Sequence, residues 1–164
     1  MAEVASDFDQ VVKEEFEYLI KEYGFSLVKC RDVAGGYEIL FTNKTTGVLI
    51  EYEFREAYLF VTVYRLVNAV FVVDPGIIEP DTVLNGFSLD DILAVRNPDT
   101  IIKPAYEYGA DSEFYNPETG LRLYVHKFAE NLKHNASDTL RGDFQLFGKL
   151  DKIVKERASR LANS

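Results

Sequence analysis

Residues 47–66, which read GVLIEYEFREAYLFVTVYRL, organise the rest of the chain. Two runs rich in β-branched and aromatic residues flank the polar pair Arg55-Glu56, and this pattern indicates an antiparallel hairpin. The first run alternates between two faces, Val48, Ile50, Tyr52 and Phe54 on one and Leu49, Glu51 and Glu53 on the other. The second run separates an aliphatic set, Leu59, Val61 and Val63, from a ring-rich set, Tyr58, Phe60, Thr62 and Tyr64.

The length of the hairpin loop decides which of these faces meet. An even number of loop residues places Ile50 and Tyr52 beside the aliphatic set. An odd number exchanges the faces of the second strand, because a slip of one residue turns every side chain over. The even loop removes the branched aliphatic side chains from water most completely. We therefore predict an even loop, with Glu51 and Glu53 beside the rings on the opposite face.

The segment before the hairpin predicts one helix and two strands. Apolar residues at helical spacing over residues 7–23 indicate an amphipathic helix, with Ser6 as its N-cap and Gly24 as its stop. Residues 25–31 and 37–42 have the composition of strands. Together with the hairpin they make four consecutive strands with short connections. This order favours an antiparallel meander, because parallel strands need longer crossovers.

The segment after the hairpin is less regular. Residues 69–73 have the composition of a further strand, and a capping signature at Ser88 predicts a short helix to residue 96. Residues 97–117 predict a long ordered loop, and helical stripes follow on either side of Arg141-Gly142. The sequence thus predicts one α+β domain over residues 1–164. It has an N-terminal helix, an antiparallel meander sheet of four or five strands, and C-terminal helices packed on the sheet.

These elements share one predicted core. The chain contains no internal repeat, no low-complexity run and no second core. A chain of 164 residues is the size of one domain and can bury about two-thirds of its unfolded surface. The predicted core residues are Phe8, Val12, Phe16, Leu19, Ile39, Phe41, Ile50, Val61, Val63, Phe128, Leu132, Phe147 and Ile153.

Composition and charge narrow the class of protein. No apolar run approaches the roughly 20 residues that span a bilayer. The N-terminus lacks the pattern of a signal peptide, and a single cysteine suits a reducing compartment. We therefore expect a cytoplasmic protein without a membrane partner. The formal charge of −9 and the absence of a basic patch with interleaved rings argue against a nucleic-acid partner.

The familiar catalytic and cofactor motifs are missing from the sequence. His126, Glu130 and His134 follow the spacing i, i+4, i+8, and imidazole and carboxylate ligands suit zinc. However, an i, i+8 pair spans about 12 Å of helix axis, too far for both histidines to bind one ion. Cys30 alternates with Val28 and is predicted to point inward as a small apolar group. We expect no metal, no cofactor and no catalytic residue.

The feature that most favours a function is the composition of residues 97–117, which we call the acidic-aromatic loop. Residues 74–118 carry ten acids against Arg96 and Lys103, and four rings lie among the acids of the loop. Rings provide rigid contact area, and carboxylates accept hydrogen bonds from arginine and lysine. We predict that the loop binds a basic protein. The predicted binding residues are Tyr106, Glu107, Tyr108, Asp111, Glu113 and Tyr115.

Other interpretations of the same loop remain open. It is also compatible with a solvated loop whose rings cover the core, or with a small-ligand pocket. A hydrolase-type enzyme would need a carboxylate pair, such as Glu51 or Glu53 with an acid of the loop, in which one pKa is raised. Self-association through the exposed face of the sheet is the alternative to a basic partner.

One pattern resembles a known group of proteins. Phe16 and Leu19, then Glu22-Tyr23-Gly24-Phe25, then a run of four strands resemble several small uncharacterised bacterial proteins. Some of these resemble immunity proteins, which neutralise secreted toxins. The resemblance covers residues 1–75 and supplies no catalytic residue. It implies a cytoplasmic bacterial α+β protein of the immunity-protein type that acts by binding.

Overall fold

The computed structural model describes residues 2–163, with side chains from residue 7 onward, and has an α+β fold. Five antiparallel strands form one sheet in the order β1-β2-β3-β4-β5. The elements are α1 (Ala2–Glu15), α2 (Glu17–Tyr23), β1 (Ser26–Val33), β2 (Gly36–Thr42), β3 (Thr46–Glu53), β4 (Tyr58–Arg65), β5 (Gly86–Ser88), α3 (Leu89–Arg96), α4 (Gly120–Asn135), α5 (Ser137–Leu140) and α6 (Gln145–Ala162). Three short 3-10 turns occupy Pro98–Thr100, Ala105–Tyr108 and Glu113–Tyr115.

The register of the central hairpin confirms the even loop. Four residues separate β3 from β4, and Ile50 pairs with Val61 while Tyr52 pairs with Leu59. The aliphatic side chains of both strands therefore share one face, which we call the inner face. Glu51 pairs with Phe60 on the opposite, outer face. This arrangement follows from the hydrophobic effect, because it withdraws the branched side chains from water together.

Helices cover the inner face of the sheet. From α1, the ring of Phe8 lies 5.7 Å from Tyr37 and 4.8 Å from Tyr52, measured between ring centroids. From α4, Phe128 lies in one buried cluster with Ile50 and Val61. Tyr58, which strand alternation assigns to the opposite face, is also buried in this cluster, with its ring 6.3 Å from Phe128. All of the predicted core residues are buried except one. The exception is Ile153, which is half-buried. On α6 the adjacent residue, Val154, packs against the core instead.

The N-terminal helix departs from the prediction at two points. It begins at Ala2, so Ser6 lies inside α1 and is not the N-cap; side chains before residue 7 lie outside the described part. The helix is also interrupted at Phe16, where the N–H of Leu19 bonds to the carbonyl only three residues back. The predicted stop is confirmed, since Gly24 adopts a left-handed conformation with φ 71°.

The fifth strand lies at a different place from the one predicted. Residues 69–73 form no strand, and the pairing there is an isolated bridge between Val67 and Val70. Asn68 and Ala69 have φ values of 51° and 63°, which turn the chain back on itself instead of extending it. The edge of β4 is taken by β5 instead. Within residues 2–163, no helix has both the length and the apolar character of a membrane span.

Candidate binding site

The acidic-aromatic loop connects α3 to α4 and is anchored to α4 by side-chain hydrogen bonds. The hydroxyl of Tyr124 donates to the carbonyl of Lys103 at 2.8 Å. The amide of Asn131 donates to the carbonyl of Thr100, also at 2.8 Å. Both donors belong to α4, so the helix holds the first half of the loop in a fixed position. The loop is therefore a preformed surface, which lowers the entropy cost of binding a partner.

The second half of the loop is pinned to α4 by ring packing and by a close backbone approach. The ring of Phe114 lies 5.1 Å from Tyr108 and 5.0 Å from Tyr124, with edges against faces. A Cβ atom at Gly120 would overlap the backbone carbonyl of Phe114. This close approach explains why a glycine stands at the start of α4. Only a residue without a side chain lets the loop lie against the helix.

All six predicted binding residues are exposed, and all lie on this loop. They are not equivalent. The hydroxyl of Tyr108 accepts a hydrogen bond from the backbone N–H of Lys103 at 3.0 Å, and its ring packs on Phe114. In the described part of the chain, the side chains of Tyr106 and Tyr115 make no hydrogen bond or ring contact, and they are 54% and 44% exposed. Tyr108 thus shapes the loop, while Tyr106 and Tyr115 are available to a partner.

Within the described residues, the carboxylates of the loop lack cationic partners. Among residues 7–163, the side chains of Glu107, Asp111 and Glu113 take part in no ion pair and no hydrogen bond. Acids on the helices often have partners, as in Arg96–Asp138 at 2.6 Å, Arg157–Asp91 at 2.9 Å and Arg122–Glu14 at 2.6 Å. Because the acids of the loop are not neutralised within the chain, they can attract and bind an external cation.

A cleft of about 530 Å³ opens between the loop and α4. Of the six predicted residues, only Tyr108 and Glu113 line it. The other four lie outside it, on the exposed surface of the loop. The remaining lining residues are Asp99, Thr100, Ile101, Ile102, Ser112, Phe114, Lys127, Glu130 and Asn131. The sequence does not predict the contribution of α4 to this site, because residues so far apart give no local signal of their proximity.

Two acids of the wider acidic segment have structural roles. Both carboxylate oxygens of Asp74 accept backbone hydrogen bonds, from Asn85 and Gly86, and so hold the start of β5. Asp90 accepts a hydrogen bond from the Tyr58 hydroxyl at 2.5 Å. Burial raises the pKa of Asp90, although the hydrogen bond from Tyr58 opposes the shift. Asp74 and Asp90 therefore serve the fold, and in the described residues they differ in this from the carboxylates of the acidic-aromatic loop, which bond to no other side chain or backbone group.

Glu51, which the carboxylate-pair hypothesis requires, lies on the outer face of the sheet. It pairs across the strands with Glu38, whose carboxylate contacts Lys29 at 2.9 Å and also Arg31. Burial raises the pKa of Glu51, and the charge of Glu38 raises it further, while Lys29 opposes the shift. Burial would also raise the pKa of Glu38, but the two cations together lower it. The charged groups that act on Glu51 therefore belong to the sheet and not to the loop.

The other member of that hypothesis has a local structural role. The carboxylate oxygens of Glu53 accept hydrogen bonds from the backbone N–H groups of Arg55 and Glu56, at 3.2 and 2.7 Å. Glu53 thus closes the turn of the central hairpin, in the manner of an Asx-type cap. Neither glutamate is brought into a pair with an acid of the acidic-aromatic loop.

We expect Glu51→Gln to stabilise the domain at pH 7. The pKa of Glu51 is raised above its ordinary value of 4.5, so the folded state binds this proton more tightly than the unfolded state does. The ionised group therefore costs stability above its folded pKa, and this cost disappears as the pH falls toward 4.5. The urea midpoint of the variant should exceed that of the wild type at pH 7, and the two should converge near about pH 4.

The matched control for this measurement is Glu56→Gln, at an exposed position on the same hairpin. It should leave the urea midpoint nearly unchanged at both pH values, since a solvated carboxylate has similar surroundings in both states. A stabilisation by Glu51→Gln that persists undiminished at about pH 4 would contradict the assignment.

His126 and the cysteine have structural contacts. Nδ1 of His126 contacts the carboxylate of Glu15 at 2.7 Å, and Nε2 lies 3.5 Å from Glu130. In the described part of the chain, no group of three histidine, cysteine, aspartate or glutamate side chains is arranged to hold a metal ion. The Cys30 thiol donates to Asp9 at 2.6 Å. Burial and this bond raise the pKa of Cys30, although its contact with Tyr37 opposes the shift, so the reactive thiolate is disfavoured.

Comparisons of the chain with protein-family models, with curated proteins and with solved structures found no match.

Proposed function

We propose that this protein is a binding module that holds a basic protein partner through the acidic-aromatic loop. The observation that carries the proposal is the exposure of unneutralised carboxylates and free rings on an anchored loop. Glu107 and Asp111 have no cationic partner within residues 7–163, and Tyr106 and Tyr115 are about half exposed. The acids speed the encounter with a cationic surface, and the rings supply contact area that is then withdrawn from water.

The kind of partner follows from the chain's resemblance to proteins of the immunity-protein type. Such a protein would act in the cytoplasm of a bacterium, and its partner would be a basic toxin. The support from the structure concerns the charge of the partner, because the loop offers hydrogen-bond acceptors and no compensating cation except Lys103. No catalytic group is needed for this role.

The test compares two double variants that change the net charge equally. Glu107→Lys/Asp111→Lys reverses two acids of the loop, and Glu79→Lys/Glu156→Lys reverses two exposed acids elsewhere. Each reversal adds two charges, so both variants go from −9 to −5. We expect immobilised wild type and the second variant to retain the same basic protein from a lysate of the native organism. The loop variant should retain at least about tenfold less of this protein, because like charges repel each other across the interface.

Salt provides a second measurement on the same samples. Raising the ionic strength from about 0.1 to 0.5 M should release the retained protein, since exposed charges are screened at these concentrations. Equal recovery with all three proteins would remove the loop from consideration. A small metabolite that co-purifies with the wild type and is lost from the loop variant would favour the small-ligand alternative.

Self-association is the second candidate, and the connection between β4 and β5 favours it. Several apolar side chains there are exposed to water, among them Val73 at 65%, Ile77 at 79% and Val83 at 70%. Exposed apolar residues grouped in one segment are typical of contact surfaces. Light scattering at micromolar concentrations distinguishes the two candidates. A dimer that persists in Glu107→Lys/Asp111→Lys would favour association through this segment and the outer face of the sheet.

A further inference from the structure

We propose that the cleft between the acidic-aromatic loop and α4 receives an arginine side chain of the partner. The inference rests on the proposed function, and it identifies where and by which chemistry the basic partner is anchored. The cleft measures about 530 Å³ and is open to solvent, so a long side chain can enter it without displacing the loop. Its walls come from two elements that hydrogen bonds and ring packing already hold together.

The charge of the cleft selects a cation. Three carboxylates line it, from Asp99, Glu113 and Glu130, against the single ammonium group of Lys127. In the described residues, Asp99 and Glu113 have no side-chain partner. Among residues 7–163, the carboxylate of Glu130 has one partner, Nε2 of His126 at 3.5 Å. No strong internal bond to these carboxylates has to be broken when a cationic side chain binds. The free-energy cost of binding the cation in the cleft is therefore small.

The polar groups between these carboxylates also favour a hydrogen-bond donor. The amide nitrogen of Asn131 is committed to the carbonyl of Thr100, which leaves the side-chain oxygen of Asn131 as an acceptor. The hydroxyl of Ser112 accepts from the backbone N–H of Phe114 at 3.2 Å, and its own proton is free to adjust. A guest with several N–H groups can bond to the acceptors along both walls.

The rings of the cleft favour guanidinium over ammonium. Tyr108 is 42% exposed and presents its ring to the cleft, next to Phe114. A cation already lies over one of these rings, since Nζ of Lys127 is 6.0 Å from the centroid of Phe114. A guanidinium group is planar, stacks on a ring and directs five donors at carboxylates in a fixed fork. An ammonium group has neither property, so we assign the cleft to arginine.

The probe for this proposal is the peptide acetyl-Gly-Arg-Gly-amide, with citrulline in place of arginine as its uncharged counterpart. The two peptides have nearly the same shape, so the difference between them reports the charge. Backbone amide shifts measured by NMR during titration locate the bound peptide and give its affinity. We expect the arginine peptide to shift the amides of Ile101, Ser112 and Asn131 most strongly. Its Kd should be on the order of 1 mM, because a single side chain is held.

Two variants with equal charge changes separate the cleft from the rest of the loop. Asp99→Asn/Glu130→Gln neutralises two acids that line the cleft, and Glu107→Gln/Asp111→Asn neutralises two that do not. We expect the first to weaken the peptide at least about fivefold and the second less than about twofold, because only the first removes direct partners. The citrulline peptide should also bind at least about fivefold more weakly than the arginine peptide.

The outcomes distinguish this inference from the proposed function. Shifts spread evenly over the acidic surface, or equal weakening by both variants, would overturn the cleft as an arginine site. Capture of a basic protein that depends on Glu107 and Asp111 would then still support the loop as a binding surface. Arginine-specific shifts in the cleft, abolished by Asp99→Asn/Glu130→Gln, would support the inference even if lysate capture yields no partner. Dispersed NMR spectra of all variants verify that each one is folded.

Discussion

Val61→Asp is expected to unfold the domain. Val61 is 3% exposed and lies in the middle of β4, opposite Ile50. The new carboxylate would be buried among aliphatic side chains with no cation or hydrogen-bond donor to receive it. The penalty for such a group exceeds about 4 kcal/mol, and the whole stability of a domain is about 5–15 kcal/mol. The far-ultraviolet circular dichroism and the thermal transition of the variant should show a largely unfolded chain at 37 °C.

The matched control is Phe60→Asp, one residue away. Phe60 is 44% exposed on the outer face, so the same new charge enters water there. We expect this variant to fold and to lose about 1–2 kcal/mol of unfolding free energy, from the lost ring packing of Phe60 on Tyr58 and from repulsion between the new carboxylate and Glu51 on the neighbouring strand. The pair tests the register of the hairpin directly. If Phe60→Asp unfolds the chain and Val61→Asp does not, the two faces are assigned the wrong way round.

The sheet follows from sequence because its pattern is both local and redundant. In the hairpin, each apolar residue on the inner face has a neighbour two positions along the strand that is also apolar and lies on the same face. Pairing Ile50 with Val61 therefore also pairs Tyr52 with Leu59. A single slip would expose all of them at once, so only one register fits.

The position of the fifth strand could not be predicted from sequence, because composition alone does not determine the conformation of a short segment. Residues 69–73 are as apolar as a strand, but the positive φ values of Asn68 and Ala69 turn the chain away. Asp74 then binds the backbone of Asn85 and Gly86 and places β5 beside β4. These contacts join residues more than ten positions apart, so the periodicity of the sequence does not predict them.

The candidate site, too, could be predicted from sequence only in part. The exposed rings and acids of the loop follow from its composition, as Tyr106 and Glu107 illustrate. The cleft does not, because its second wall comes from Lys127, Glu130 and the rest of α4. Composition also treats every acid of the segment alike, although Asp90 is half-buried and accepts a hydrogen bond from Tyr58. Whether an acid is free depends on its partners, which only the folded chain brings to it.

Asn43→Ala is expected to cost about 2–4 kcal/mol of unfolding free energy. In sequence, Asn43 is only the first residue of a turn between β2 and β3. In the fold, its side-chain nitrogen donates to the carbonyls of Tyr23 at 3.0 Å and Leu140 at 3.1 Å. Its side-chain oxygen accepts from the N–H groups of Thr45 and Thr46, at 3.0 and 2.8 Å. One side chain therefore joins the end of α2, the turn and α5.

Alanine removes these four bonds together with the one that the Thr45 hydroxyl donates at 3.3 Å, and it leaves partly buried carbonyls and N–H groups without partners. The effect should spread to the buried hydroxyl of Thr46, which donates to the carbonyl of Thr139 at 2.9 Å from the same turn. Urea unfolding measures the loss. Asn116→Ala is the control, because Asn116 only accepts from two N–H groups on an exposed loop, and about 1 kcal/mol or less is expected there.

Asn43→Asp separates the two halves of this role. The carboxylate still accepts from Thr45 and Thr46, but it places a second oxygen against the carbonyls of Tyr23 and Leu140, where donors are required. If the donor half joins the helices to the sheet, Asn43→Asp at pH 7 should be at least as unstable as Asn43→Ala. Retention of most of the wild-type stability by the aspartate variant would instead show that the turn alone depends on Asn43. The link between α2 and α5 would then have to come from packing.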